Sequence, residues 1–116
     1  MFDFIKLLFG FSTKIDFNKL VLAGAIILDV RTKNEWESLG KPTVEGYNSK
    51  SYFITVSHDL SKWQEPDPLF IENVKKAINK ENQILIMCAA GGRSMIAANL
   101  LQKEGYIAHN ISDGYS

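Results

Sequence analysis

The chain has 116 residues, 13 Lys and Arg against 13 Asp and Glu, 46% hydrophobic residues and one cysteine. That is the length of one domain, enough to bury roughly two-thirds of its unfolded surface, and so ordinary a composition excludes a disordered chain. A net charge of zero gives no general attraction to nucleic acid or an anionic membrane, and a lone thiol excludes an intrachain disulfide and an all-cysteine metal site.

Residues 1–11, MFDFIKLLFGF, are apolar but carry Asp3 and Lys6. They lack the basic start, clean apolar stretch and small-residue cleavage site of a secretory signal. Residues 1–13 are therefore expected to form a lead segment packing on a domain of residues 14–116, with membrane contact by residues 1–11 as the lesser alternative. Asp16 is placed to cap a helix over 17–23, with Ile15 and Leu20 as a hydrophobic staple and Gly24 as its stop. Residues 25–30, AIILDV, then read as a strand buried on both faces. Thr32 and Glu35 have capping-box spacing, which predicts a short helix through Trp36 to about Leu39, ended by Gly40.

Residues 41–50 read as loop, Tyr52 to Val56 as a strand, and 57–67 as a second loop without periodicity. Asp67-Pro68 marks a helix start, and Phe70, Val74, Ala77 and Ile78 recur at helical spacing. Ile84 to Cys88 predicts another buried strand. A helix from Gly92 or Arg93 to about Glu104 follows, with Ile96, Ala97, Leu100 and Leu101 inward and Gly105 closing it. Tyr106 to Ile111 is the last strand. Strands alternating with helices predict an α/β fold with a mostly parallel sheet, and such sheets bind ligands beyond the carboxyl ends of their strands.

Cys88 lies at one of those ends. It leaves a strand and enters Ala89-Ala90-Gly91-Gly92-Arg93-Ser94 just before a helix, where the dipole is positive. Gly91 and Gly92 permit left-handed dihedrals, so the loop amides can turn inward as a nest. Such a cradle stabilises a thiolate, the nucleophilic form, and Arg93 adds a cation with a planar donor fork. His58 and His109 have no ligand spacing with Cys88, so no metal is expected. Trp36 and Trp63 are expected to serve core and loop packing, with a binding platform as the lesser alternative. Asp59, Glu65 and Asp67 form no acid–base pair, and Glu72 with Lys75 and Lys76 reads as a solvated helix face.

The loop from Cys88 to Ser94 resembles the active-site loop of rhodanese-like sulfurtransferases, Cys-x-x-Gly-x-Arg-Ser/Thr. Leu28-Asp29-Val30-Arg31 followed by Glu35-Trp36 is similar to a second motif of that family. The resemblance implies a three-layer α/β/α fold with a central sheet of about five strands. It also implies a cytoplasmic sulfurtransferase that moves sulfane sulfur from a donor such as thiosulfate to an acceptor through a persulfide on Cys88. The amides of Ala89, Ala90, Gly91, Gly92, Arg93 and Ser94 would hold the terminal sulfur, Arg93 would set the loop, and Asp29 and Arg31 would be structural supports. No cofactor is implied. The partners implied are a small-molecule donor and a thiol or cyanide-like acceptor, or a protein acceptor, with no nucleic acid. A non-catalytic binding module and a persulfide carrier serving a protein are the alternatives. Related phosphatases place one residue more between cysteine and arginine, so the four here suit a single sulfur better than a phosphate.

Two departures stand out. The family's histidine-containing stretch after the first motif is replaced by Gly40-Lys41-Pro42-Thr43-Val44-Glu45-Gly46. The usual closing helix with a tryptophan is missing after Asp113-Gly114-Tyr115, so the domain reads as short at its carboxyl end.

Overall fold

A computed structural model describes residues 24–40, 51–89 and 92–111. The lead segment, the helix expected over 17–23, the loop 41–50, Ala90, Gly91 and the residues after Ile111 lie outside the described residues.

The described residues form β1 (Ile26–Asp29), α1 (Lys33–Leu39), β2 (Ser51–Phe53), a 3-10 turn (Leu60–Lys62), α2 (Phe70–Ala77), β3 (Gln83–Met87), α3 (Gly92–Lys103) and β4 (Ile107–Asn110). The sheet order is β2-β1-β3-β4 and every pairing is parallel. Four strands stand among the described residues where about five are expected. Asp29 pairs with Phe53 and with Met87, and Ile86 with Asn110, so all four carboxyl ends gather along one edge.

The two central strands are apolar on both faces because both faces are buried: every residue of β1, and Ile84 to Met87 of β3, is shielded from solvent. Ile26, Leu28, Ile84 and Ile86 join Phe70, Val74 and Ile78 from the α2 region and Ala97, Ala98 and Leu101 from α3 in one core cluster. Each large apolar side chain shut away in this way contributes roughly 1.5–3 kcal/mol.

Local chemistry sets the element ends. Thr32 Oγ1 accepts from the Glu35 amide at 3.3 Å while the Glu35 carboxylate accepts from the Thr32 amide at 3.0 Å, so the predicted capping box forms. Gly40 closes α1 at φ 86°, in the region that only glycine enters without strain. Gly105, at φ 93°, ends α3 in a Schellman arrangement: its amide reaches Gln102 O and the Tyr106 amide reaches Leu101 O. The start of α2 falls two residues after the predicted Pro68. The Asp67 carboxylate accepts from the Leu69 amide at 2.9 Å, and that turn takes up Pro68 and Leu69 before the helix begins. Ile78, read as helical, is instead the extended residue that ends α2, though it stays in the core. Lys75, on the face read as solvated, pairs with Glu104 at 2.8 Å.

Candidate active site

Cys88 follows the last residue of β3 and is 1% exposed. The Ser94 amide, in the first turn of α3, donates to Cys88 Sγ at 3.3 Å, and Ser94 Oγ lies 3.4 Å from the same sulfur. Ser94 Oγ also donates to Asn110 Oδ1 at the end of β4. The expected cradle is thus represented by Ser94. Ala89 is half-buried beside the cysteine, while Ala90 and Gly91 lie outside the described residues.

Arg93 does not face the cavity as an open cation. Its Nη1 and Nη2 donate to Glu35 Oε1 and Oε2 at 2.6 and 2.8 Å, the bidentate geometry that suits guanidinium and carboxylate. The hydrogen bond from Arg93 holds the Glu35 carboxyl down at about 2, against the effect of partial burial and with further help from Thr32. Reciprocally, the Glu35 hydrogen bond raises Arg93. Glu35 therefore serves two ends at once, closing the start of α1 and gripping the start of α3.

Asp29 and Arg31 sit together with no exposure. Arg31 Nε lies 3.1 Å from both carboxylate oxygens, and Nη2 donates to Asp29 Oδ2 at 2.9 Å and to the Gly40 carbonyl at 2.7 Å. The Arg31 carbonyl accepts from Thr55 Oγ1 at 2.7 Å. These contacts tie the end of β1 to the end of α1 and to the chain leaving β2.

A depression of about 410 Å³ opens over the cysteine, lined by Leu60, Trp63, Cys88, Gly92 and Arg93. The loop after β2 supplies its wall. Buried Ser57 donates from its hydroxyl to the Trp63 carbonyl at 2.8 Å, and Asp59 caps the 3-10 turn through the Ser61 amide. The Trp63 ring comes so close to α3 that a Cβ on Gly92 would stand 3.0 Å from it. Gly92 is not in a left-handed conformation, so its lack of a side chain makes room for the indole rather than bending the loop as expected. Trp63 packs as predicted, but it also lines the site, the role ranked second to packing from the sequence.

Both histidines face elsewhere: His58 meets Asp67 at 2.8 Å and His109 meets Gln83 at 3.0 Å. Trp36 packs edge-on against Phe53, ring centroids 5.4 Å apart. Among the described residues no helix is long and apolar enough to cross a membrane.

A buried cysteine past a central parallel strand, gripped by the first turn of the next helix, defines an α/β thiol site. The profile of the rhodanese-like domain matches residues 13–116, and the chain belongs to that family. It is 39% identical over 106 residues to an uncharacterised protein of Rickettsia prowazekii, covering 90% of this chain and 80% of that one. It is 29% identical over 98 residues to the chloroplastic thiosulfate sulfurtransferase 16 of Arabidopsis thaliana, covering 84% of this chain and 76% of that one. Among solved structures, a Mycobacterium tuberculosis protein superposes with a TM-score of 0.72 at 20% identity, over 90% of this chain and 76% of that one. A rhodanese-like domain protein of Staphylococcus aureus superposes at 0.60 and 24% identity, over 88% and 82%.

Proposed function

We propose that this protein is a sulfurtransferase that carries sulfane sulfur as a persulfide on Cys88. The Ser94 amide directed at Cys88 Sγ from 3.3 Å carries this assignment, because a backbone N–H aimed at sulfur from a helix's first turn favours the anionic form. In the first half-reaction the Cys88 thiolate attacks the outer sulfur of a donor, and the donor leaves with the electron pair of the broken S–S bond. In the second, a thiol or cyanide-like acceptor attacks the outer sulfur of the persulfide and returns Cys88 to the thiolate. Storage of the sulfur between the two makes the kinetics ping-pong. Arg93, locked to Glu35, sets the loop, and Asp29 and Arg31 support the strand end beneath it. The sulfurtransferase name of the Arabidopsis relative supports the same chemistry.

Cys88→Ser is nearly isosteric and should abolish sulfur transfer while leaving the circular dichroism spectrum and its thermal transition in place. Alkylation of the wild-type thiol should remain fast below pH 7, the mark of a stabilised thiolate. Sulfur transfer that survives Cys88→Ser would contradict the assignment, and a wild type that transfers none would favour a binding module.

A further inference from the structure

The walls of the depression bear on which donor delivers the sulfur, granted the persulfide reading above. Thiosulfate is a compact dianion, and a site built for it would set uncommitted positive charge beside the thiolate to offset the repulsion of like charges. Among the described residues lining the depression Arg93 is the sole cation, and both of its terminal nitrogens are engaged by Glu35. The other described residues lining it, Leu60, Trp63, Cys88 and Gly92, carry no positive charge. Trp63 is 38% exposed and Leu60 47%, and both line the cavity that holds the cysteine. Nor is the indole loosely placed: Ser57, with no exposure of its own, holds the Trp63 carbonyl, and the ring rests on Gly92. A volume of about 410 Å³ lies in the range of sites that take organic ligands.

We infer that the donor is an organic sulfane-sulfur compound carrying an apolar carbon group on its inner sulfur, where thiosulfate carries charged oxygens. A hydropersulfide, R–S–SH, has this form. The carbon group lies against Trp63 and Leu60 while the outer sulfur reaches Cys88 Sγ. The Cys88 thiolate attacks the outer sulfur, a new S–S bond forms at Cys88, the inner S–S bond breaks, and R–S⁻ leaves with its electron pair. The persulfide retains the donor's proton or releases it to water, and no external oxidant or reductant is needed. Trp63 is the specificity-determining residue, and Ser57 is a positioning residue that acts through it.

Benzenethiosulfonate and methanethiosulfonate are stable probes of this geometry, both monoanions with a carbon group on the inner sulfur. Their kcat/KM values are compared with that of thiosulfate, using cyanide as acceptor. Each is normalised to the donor's rate with free dithiothreitol to remove intrinsic reactivity. The wild type should prefer benzenethiosulfonate to thiosulfate by at least about tenfold, and to methanethiosulfonate by several-fold. Trp63→Ala should abolish most of that several-fold aryl-to-methyl preference, Trp63→Phe should retain most of it, and Ser57→Ala should reduce it in part. A normalised preference for thiosulfate, or an aryl-to-methyl ratio unchanged in Trp63→Ala, would overturn the inference and leave the persulfide reading intact. Failure of every donor to load Cys88, with inorganic polysulfide included as a generic source, would overturn both.

Discussion

Arg31 and Arg93 each meet a carboxylate through a two-pronged contact at the same edge of the sheet, yet only Arg93 borders the cavity. The Asp29–Arg31 pair has no exposure and also engages the Gly40 carbonyl. It joins two residues of one short segment, fixing how the chain leaves β1. The Glu35–Arg93 pair is 12% and 9% exposed and joins residues far apart in sequence, locking α1 to the loop that follows Cys88. On the proposed function the first pair supports the site from beneath, while the second, which joins α1 to the start of α3, sets the shape of the site. The same functional groups thus do different work according to what the contact connects.

Breaking the two pairs should separate these roles. Asp29→Ala leaves a fully buried guanidinium without its carboxylate, and the expected loss is about 3–5 kcal/mol of folding stability, read from urea unfolding. That is a large share of the stability of an ordinary domain, so activity should fall with the folded fraction. Glu35→Gln should cost less, about 1–3 kcal/mol, but should slow sulfur transfer per folded molecule because Arg93 and the loop it anchors lose their fixed position. The Glu35 pair also has a pH signature. Glu35 sits at about 2 when folded against an ordinary 4.5, so its stabilisation is complete above pH 4.5 and is lost as pH falls from there toward 2. Wild-type stability should decline across that window more steeply than that of Glu35→Gln. Parallel pH profiles for the two proteins would show that the pair contributes nothing.

Much of this edge was legible in the sequence because local rules govern it. The capping box of Thr32 and Glu35, the glycine stops at Gly40 and Gly105, and the apolar runs of β1 and β3 depend on near neighbours and came out as read. The thiol loop was recognisable from its spacing. The double duty of Glu35 was not, because a capping residue satisfies its local pattern whether or not an arginine far along the chain also reaches it. A buried Arg93 at a helix start did require an acidic partner, and that requirement was the available signal.

Trp63 and Leu60 were hidden for another reason. Residues 57–67 have no periodicity, and their order comes from local side-chain hydrogen bonds at Ser57, Asp59 and Asp67 together with backbone ones such as Asp67 N–H to the Val56 carbonyl. The parallel topology itself held the missing clue, since the loop after β2 must emerge at the edge where Cys88 lies. Asn110, which accepts from Ser94 Oγ, follows from the same topology, as β4 ends beside β3. Gly92 was read as a conformational device. It stands in the first turn of α3 outside the left-handed region, with the Trp63 ring against it, and so belongs among glycines kept small by a neighbour.

The most direct test of sulfur carriage is the intact mass of the reduced protein after brief exposure to a sulfane-sulfur donor, with Cys88→Ser treated alongside. The expected result is the gain of one sulfur atom in the wild type alone, removed by cyanide or dithiothreitol. That reversal distinguishes a persulfide from sulfinic acid, which adds nearly the same mass and resists thiols. An adduct on both proteins, or none from any donor, inorganic polysulfide included, on a wild type whose Cys88 still alkylates, would contradict the carriage of sulfur by Cys88.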